Sequence, residues 1–284
     1  IPGLAVSVEA LGGGYHGNVV AELPGATASE EVVVIGAHYD SVNWQGNPGS
    51  AAPGADDNAS GTAVVLEAAR VLASSPVPFR RTVRFIAFGA EEFGLVGAYE
   101  HASNASASGE SIVAMLNCDM AAYKKPGDTH DVDFATNSTS AELTSFCQDA
   151  TGIYVPGLGI KSGPLTAGSS DHAAFTSYGF PSAFFFEDLD DYSPYIHTAG
   201  DTLGASANDF GLAADICRAL VASAALLAEP TDMALDHDPL PDTQNDAGPY
   251  QVAVQAIALD GDTVTGIDVI FSVDGGVETS VALA

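Results

Sequence analysis

Apolar residues in the first half of the chain form continuous runs that alternate with segments of helical periodicity. Strands are predicted at 31–37, 82–90 and 111–119, and the runs at 83–88 and 112–116 are continuous enough to indicate central strands that are covered on both faces. The segments at 59–73 and 94–102 predict helices between these strands. The first half of the chain is therefore predicted to alternate strand and helix.

The same alternation continues towards residue 229. The pattern predicts a helix at 140–150, a strongly apolar strand at 181–186 and a long Ala/Leu-rich helix at 209–228. Strands that alternate with helices indicate the α/β class, and we predict a three-layer α/β/α sandwich. In such a sheet, ligands bind outside the carboxyl ends of the strands.

The composition changes after residue 229, so we predict one large domain at 1–229. Residues 230–249 are acidic and contain several prolines, which predicts a linker. Residues 250–284 show the alternating pattern of β-strands, with a Gly-containing turn near 274–276. This β segment resembles the start of a fibronectin-type or immunoglobulin-like module, although a complete module takes about 100 residues.

The chain is strongly acidic. Eight Lys plus Arg oppose 37 Asp plus Glu, which gives a formal net charge of −29 at pH 7. Such a field repels nucleic acid and acidic lipid, so we expect no nucleic-acid partner. It would attract a cationic ligand such as the free amine of a peptide.

Neither a membrane span nor an export signal is evident in the sequence. No segment approaches the run of about 20 uninterrupted apolar residues that a membrane span requires, so we expect no membrane partner. The sequence begins at Ile1 without the basic region and apolar run of a signal peptide. We expect that any export signal was removed or was never included.

A histidine and an aspartate stand at the end of the predicted strand at 31–37. His38 follows the apolar run, and Asp40 comes two residues later on the same side. A metal-bound histidine commonly donates its other ring N–H to a carboxylate, so Asp40 suits the role of orienting His38. A structural His–Asp pair at a strand end explains this motif equally well.

The loop at 53–61 carries two adjacent acids, Asp56 and Asp57, just before a predicted helix. A carboxylate has two oxygens and can bridge two cations that lie about 3.5–4 Å apart. Helix starts also attract aspartate as a cap, so one of these acids has a purely structural explanation.

Further polar residues stand at the ends of the other apolar runs. Glu91 and Glu92 follow one predicted strand, and their side chains point in different directions, so one could bind metal while the other acts as a base. Asp119 ends a central run, where a carboxylate requires a cationic partner. His197 follows an acidic loop and becomes credible as a ligand only as part of the set.

Taken together and in chain order, these motifs resemble the zinc exopeptidase family of secreted bacterial leucyl aminopeptidases. The family also includes glutamate carboxypeptidases, glutaminyl cyclases and catalytically silent receptor domains. Its His-x-Asp, Gly-Ala-Glu-Glu, Asn-x-Asp-Met and Ile-His-Thr motifs match 38–40, 89–92, 117–120 and 196–198. The resemblance extends over 32–227 and implies the zinc exopeptidase fold, with a mixed, mostly parallel central sheet.

The resemblance implies a dizinc aminopeptidase in which 1–229 is the catalytic domain. Its bridging acid falls on Asp57 rather than Asp56. Glu91 would be the general base for attack of zinc-activated water on the first peptide carbonyl. Each of the two Zn²⁺ would have three ligands, with Asp57 shared: His38, Asp57 and Asp119 for one, and Asp57, Glu92 and His197 for the other.

The implied substrates are peptides with a free N-terminus, and we expect a monomeric, secreted bacterial protein. Met120, Phe186, Tyr192 and Ile196 fall where relatives line an apolar pocket for the terminal side chain, although core packing explains them nearly as well. The sequence departs from the family at the tyrosine beside the oxyanion, for which Tyr195 and Tyr154 are the candidates. A glutaminyl cyclase, another hydrolase and a non-catalytic binding domain are the alternatives.

Overall fold

The computed structural model of the chain describes residues 1, 3–47, 50–166 and 168–231, and the backbone of four further short strands. Its main feature is one eight-stranded sheet. The strands are β1 (Ala5–Glu9), β2 (Asn18–Leu23), β3 (Ala28–His38), β4 (Arg81–Phe88), β5 (Ser111–Cys118), β6 (Asp131–Ala135), β7 (Gly159–Gly163) and β8 (Ser182–Phe186).

The sheet is mixed, and its centre is parallel. The strand order is β1-β2-β4-β3-β5-β8-β6-β7. The central strands β4, β3, β5 and β8 run parallel to one another, as do β6 and β7. The antiparallel ladders join β1 to β2, β2 to β4, and β6 to β8. This arrangement confirms the predicted mixed, mostly parallel sheet.

Within the described residues, five helices cover the two faces of the sheet: α1 (Ala59–Ala73), α2 (Val96–Ser108), α3 (Ala141–Tyr154), α4 (His172–Ser177) and α5 (Phe210–Ala228). Helices α1, α3 and α5 contribute to the core on one face, while α2 and α4 contribute to the core on the other. Strand β3 serves both cores, because Val33 and Ile35 belong to the first and Val32 and Val34 to the second. The three-layer α/β/α prediction is therefore confirmed.

Helix α5 is long and apolar enough to cross a membrane by length and composition alone. Its inner face, however, includes Ile216, Leu220 and Ala224, which are fully buried in the first core. The structure therefore uses α5 as a core helix that packs on the sheet.

The region beyond residue 231 is described only as four short strands. Strand β9 (Ala234–His237) pairs antiparallel with β10 (Val254–Ile257), and β11 (Asp268–Phe271) pairs antiparallel with β12 (Thr279–Ala282). Strand β9 falls within the stretch predicted as a linker, and β10 to β12 fall within the predicted β segment. The other residues of both predicted segments, from 238 on, lie outside the described part of the chain.

Candidate metal centre

The polar residues singled out in the sequence meet at the carboxyl ends of the central strands. His38 is the last residue of β3, and Asp119 directly follows β5. Glu91 and Glu92 lie just beyond the end of β4. Because β3 lies between β4 and β5 and runs parallel to both, these strand ends are neighbours at one edge of the sheet.

Two groups of side chains share the carboxylate of Asp57. In the first group, Nε2 of His38 lies 3.2 Å from Oδ1 of Asp57 and 3.4 Å from Oδ2 of Asp119. In the second group, Nε2 of His197 lies 3.1 Å from Oδ2 of Asp57 and 3.0 Å from Oε2 of Glu92. Within each group the candidate ligand atoms lie within 4.8 Å of one another, so each group could hold a metal ion.

A second aspartate holds the loop that carries Asp57. The carboxylate of Asp201 accepts the backbone N–H groups of Asp56, at 2.9 Å, and Asp57, at 3.0 Å. Asn58 caps α1 by accepting the N–H of Gly61, and its Oδ1 also accepts the N–H of Met120. These bonds fix Asp57 against the residue that follows Asp119. The sequence pattern does not point to Asp201, although it stands only four residues after His197.

Asp40 contacts the site in two ways. Nδ1 of His38 lies 3.1 Å from the backbone carbonyl oxygen of Asp40 and 3.7 Å from its carboxylate, so the carbonyl accepts the ring N–H. The carboxylate instead accepts the backbone N–H groups of Glu91, at 3.0 Å, and Glu92, at 3.2 Å. The predicted orienting contact to His38 therefore comes from the main chain, and the side chain positions the two glutamates.

Three non-glycine residues at the site have left-handed backbone conformations. They are Ala90, with φ 57°, Met120, with φ 52°, and His197, with φ 57°. Each is a ligand candidate or the immediate neighbour of a residue at the centre. Strained conformations of this kind persist only where the surrounding structure enforces them, and they cluster at functional sites.

Among the described residues, no lysine or arginine pairs with this group of acids. All eight Lys and Arg residues of the chain lie in the described part, and the ion pairs they make there are with acids outside the site. Three buried site atoms also lack a hydrogen-bond partner: Nε2 of His38, Oε1 of Glu92 and Oδ1 of Asp119. Imidazole nitrogen and carboxylate oxygen are ligands of divalent metals, so this donor set fits metal ions.

The surrounding acids raise the pKa values of His38 and His197. Burial opposes the charged form of His38, but the carboxylates of Asp119, Asp40 and Asp57 raise its pKa well above its ordinary value. Hydrogen bonds to Asp57 and Glu92 raise the pKa of His197 to about 10. Burial also opposes ionisation of Asp57, but its contacts with both histidines lower its pKa below the usual range. The surrounding carboxylates therefore favour the protonated form of both histidines.

Glu91 stands beside the two groups without belonging to either. Its Oε2 lies 4.0 Å from Nε2 of His38, and its side chain is largely buried. Burial raises the pKa of Glu91 to about 9, and the nearby carboxylates of Asp171, Asp119 and Glu92 add to this effect. A carboxyl group with a raised pKa next to candidate metal ligands can accept and return a proton.

Asp56 lies apart from both groups. It is fully buried, and its Oδ1 accepts the N–H of Ala122. Burial raises the pKa of Asp56 to about 7, and its carboxyl group interacts with that of Glu187. Glu187 also accepts the N–H groups of Tyr123 and Ser193. The two acids therefore link the loop of Asp56 to the segments that contain Tyr123 and Ser193. Glu187 lies directly after the apolar strand β8, a strand-end position that could have indicated it from the sequence.

The four predicted pocket residues lie in one apolar cluster beside the centre. Met120 and Phe186 are buried, and Tyr192 and Ile196 pack against them. The rings of Phe186 and Tyr192 are 5.8 Å apart. Since Met120 adjoins Asp119 and Ile196 adjoins His197, the cluster borders both groups.

The segment at 170–173, which also matches the family and is predicted to support the site, contributes a buried acid, Asp171. Both carboxylate oxygens of Asp171 are buried without a hydrogen-bond partner, and burial raises its pKa to about 8. The His172 ring stacks on Phe184 at 4.5 Å, and burial lowers its pKa to about 3, so it is a neutral packing residue. His172 is in neither ligand group.

The two oxyanion candidates occupy different parts of the molecule. Both are exposed; Tyr195 is two residues from His197, whereas Tyr154 is the last residue of α3. Their positions favour Tyr195 for any role at the centre.

A mixed α/β sheet that brings histidines and carboxylates together at its carboxyl edge indicates a metal-binding protein of the α/β class. The model of Peptidase family M28 matches residues 18–221, and the chain belongs to this family. The resemblance deduced from the motifs is thereby confirmed at the family level.

Individual relatives agree with this assignment. A probable leucine aminopeptidase of Trichophyton verrucosum is 39% identical over 191 residues, which cover 66% of this chain and 50% of the relative. The LapA aminopeptidase of Legionella pneumophila has a TM-score of 0.71 at 27% identity, covering 80% of this chain and 59% of that one. The zinc aminopeptidase BSAP of Bacillus subtilis has a TM-score of 0.62 at 28% identity, covering 76% and 51%. The chain thus spans about half the length of the curated relatives it matches.

Proposed function

We propose that this chain is an aminopeptidase that holds two zinc ions and releases N-terminal residues, preferentially apolar ones, from peptides. The observation that carries the proposal is the Asp57 carboxylate, whose two oxygens face two separate histidine-containing groups. A shared carboxylate allows two cations to lie about 3.5–4 Å apart. Membership of the M28 family and the similarity to a zinc aminopeptidase support the metal and the reaction.

The donor set indicates which residues would hold each ion. His38 and Asp119 would hold one, Glu92 and His197 would hold the other, and Asp57 would bind both. Zinc bound there would polarise the peptide carbonyl and lower the pKa of a water molecule to about 7. Asp40 would hold His38 and Glu92 in fixed positions relative to each other, because it contacts both His38 and the backbone of the two glutamates.

We assign proton transfer to the carboxylate of Glu91. It would take a proton from the attacking water and pass it to the leaving amine of the scissile peptide bond. Positive charge in the two ligand groups would lower its raised pKa towards neutrality, where a general base is most effective.

The preference for apolar N-terminal residues is proposed from the cluster around Met120 and Phe186. Apolar side chains gain free energy when they leave water for such a surface. Because the cluster adjoins both Asp119 and His197, a substrate carbonyl at the centre would bring the terminal side chain against it.

The first test measures metal content and turnover on one preparation. We expect elemental analysis to find two zinc ions per chain, and hydrolysis of leucyl-p-nitroanilide to stop on chelation and return with added zinc. One zinc without hydrolysis would favour a glutaminyl cyclase instead. Protein without metal or turnover would indicate a non-catalytic relative and would reject the proposal.

Two substitutions of Asp40 are expected to reduce activity to different degrees. Asp40→Ala removes the acceptor for the N–H groups of Glu91 and Glu92, and loss of such supporting contacts typically costs about 10- to 100-fold in activity or metal affinity. Asp40→Asn keeps one acceptor oxygen and should lose less. Steady-state kinetics with zinc titrations would measure both variants. Equal activity of wild type and Asp40→Ala would refute the positioning role.

Zinc binding is expected to release protons. The raised pKa values favour the protonated form of both histidines, and a protonated histidine must lose a proton to bind metal. We therefore expect at least two protons released per chain at pH 7, and zinc affinity that increases as pH rises towards about 10. Calorimetry in buffers of different ionisation enthalpy measures this release.

Two histidine variants make the proton measurement specific. His197→Ala should release fewer protons than wild type. His130→Ala should leave the release unchanged, because His130 pairs with Asp215 away from the centre. Zinc binding without proton release would contradict the assigned ligands.

A further inference from the structure

Three aromatic rings contact one another on the surface next to the centre. The ring centroids of Tyr15 and Phe93 are 5.6 Å apart, and those of Trp44 and Phe93 are 6.1 Å apart in an edge-on arrangement. We call Tyr15, Trp44 and Phe93 the aromatic shelf.

Core packing does not account for the aromatic shelf. Trp44 is 50% exposed, Phe93 49% and Tyr15 38%. Within the described residues, none of the three belongs to a buried hydrophobic cluster. Contiguous exposed apolar surface of this kind commonly marks a binding site.

The shelf adjoins the ligand group of Glu92 and His197. Phe93 directly follows Glu92 in the tight turn after β4, in which the N–H of Gly94 bonds to the carbonyl of Glu91. The backbone N–H of Trp44 donates to the carbonyl of His197 at 3.0 Å. The backbones of Phe93 and Trp44 are therefore joined directly to residues of the proposed centre, Phe93 by a peptide bond to Glu92 and Trp44 by a hydrogen bond to His197.

The third ring is held in place by the loop between β1 and β2. The hydroxyl of Tyr39, the residue after His38, donates to the carbonyl of Gly17 at 2.9 Å. The loop also lies against the end of β4, since a Cβ on Gly89 would lie 2.4 Å from the carbonyl oxygen of His16. Tyr15 is thereby fixed beside Phe93.

The aromatic shelf and the apolar cluster differ in their exposure to solvent. The cluster around Met120 and Phe186 is largely buried, which suits a single side chain, whereas the shelf is open. A peptide cleaved after its first residue must continue from the centre over accessible surface. An open row of rings beside Glu92 and His197 can accept the next part of that peptide.

We propose that the aromatic shelf binds the side chain of the second residue of the substrate, the one after the scissile bond, and favours large apolar and aromatic side chains. This inference rests on the proposed aminopeptidase function. Aromatic side chains of peptide and protein would pair offset or edge-on, an arrangement that adds to the gain from burial alone.

Kinetics with two substrates test the inference. Leucyl-phenylalaninamide places a ring on the shelf, whereas leucinamide has no second residue. In Trp44→Ala and Phe93→Ala, we expect the ratio of kcat/KM for the dipeptide amide to kcat/KM for leucinamide to fall about tenfold. Tyr99→Ala is the matched control, because Tyr99 pairs with Tyr178 on another surface, and its ratio should equal that of wild type. An unchanged ratio in both shelf variants would overturn the inference.

Trp44 also gives a signal that is independent of turnover, because it is the single tryptophan of the chain. Leucyl-phenylalaninamide bound to zinc-loaded Glu91→Gln protein should shift Trp44 emission to shorter wavelength and protect it from acrylamide quenching. Leucinamide should cause a smaller change.

The two measurements separate the failure of the inference from the failure of the proposed function. If wild type hydrolyses neither substrate, the proposed function is wrong. The change in Trp44 emission then tests by itself whether the aromatic shelf binds the dipeptide amide. Emission that the dipeptide amide leaves unchanged would overturn the inference, whatever the turnover.

Discussion

Glu91→Gln is expected to lose about 1,000-fold in kcat while it keeps both zinc ions, because general acid–base catalysis contributes typically about 10²- to 10⁴-fold. Glutamine has nearly the same shape as glutamate but cannot take up the proton of the attacking water. Glu91 belongs to neither ligand group, and its backbone N–H contact with Asp40 does not depend on the side chain. Proton transfer should therefore fail while the metal set stays intact.

Leucyl-p-nitroanilide kinetics and elemental analysis on the same preparation would test this. Glu100→Gln is the matched control, since Glu100 is exposed on helix α2 and its variant should keep full activity. Activity of Glu91→Gln within tenfold of wild type would refute the role of base. Loss of zinc from that variant would instead make Glu91 a ligand.

Much of the fold was predictable because the central strands are buried on both faces. Strand β3 alternates between two cores, so its sequence is a continuous apolar run. Strands β1 and β7 lie at the sheet edges and are mostly exposed, and β7 reads Gly-Ile-Lys-Ser-Gly, which has no strand pattern. Strand β6 is buried but carries Asp131 and Asp133, whose partners Lys161 and Leu189 are distant in sequence.

The candidate site was predictable to the extent that it follows strand ends. His38 and Asp119 stand at the ends of central strands, and a polar residue at such a position indicates chemistry from the sequence alone. The supporting contacts were not predictable in this way. Asp201 binds the backbone of Asp57, and Glu187 pairs with Asp56, and both contacts join segments more than 130 positions apart. Only the folded chain brings such partners together.

Asp57→Ala is expected to abolish binding of both zinc ions and with it all measurable turnover. Asp57 is the one residue that the two ligand groups share, so its removal leaves each group with a histidine and a single acid. Elemental analysis of the purified variant, with the thermal unfolding temperature as a check on folding, measures the loss. A variant that unfolds like wild type but contains no zinc would support the shared carboxylate.

The neighbouring aspartate provides the matched control for this loss. Asp56→Asn keeps a side chain of the same shape in the contact with Glu187 and lies outside both ligand groups, so we expect it to retain zinc. Asp56 belongs to the same loop and is also buried, but it contacts neither histidine, so the two variants test which position bridges the metals. If Asp57→Ala kept its zinc while Asp56→Asn lost it, the bridge would belong to Asp56, and the two histidines would need a different common partner.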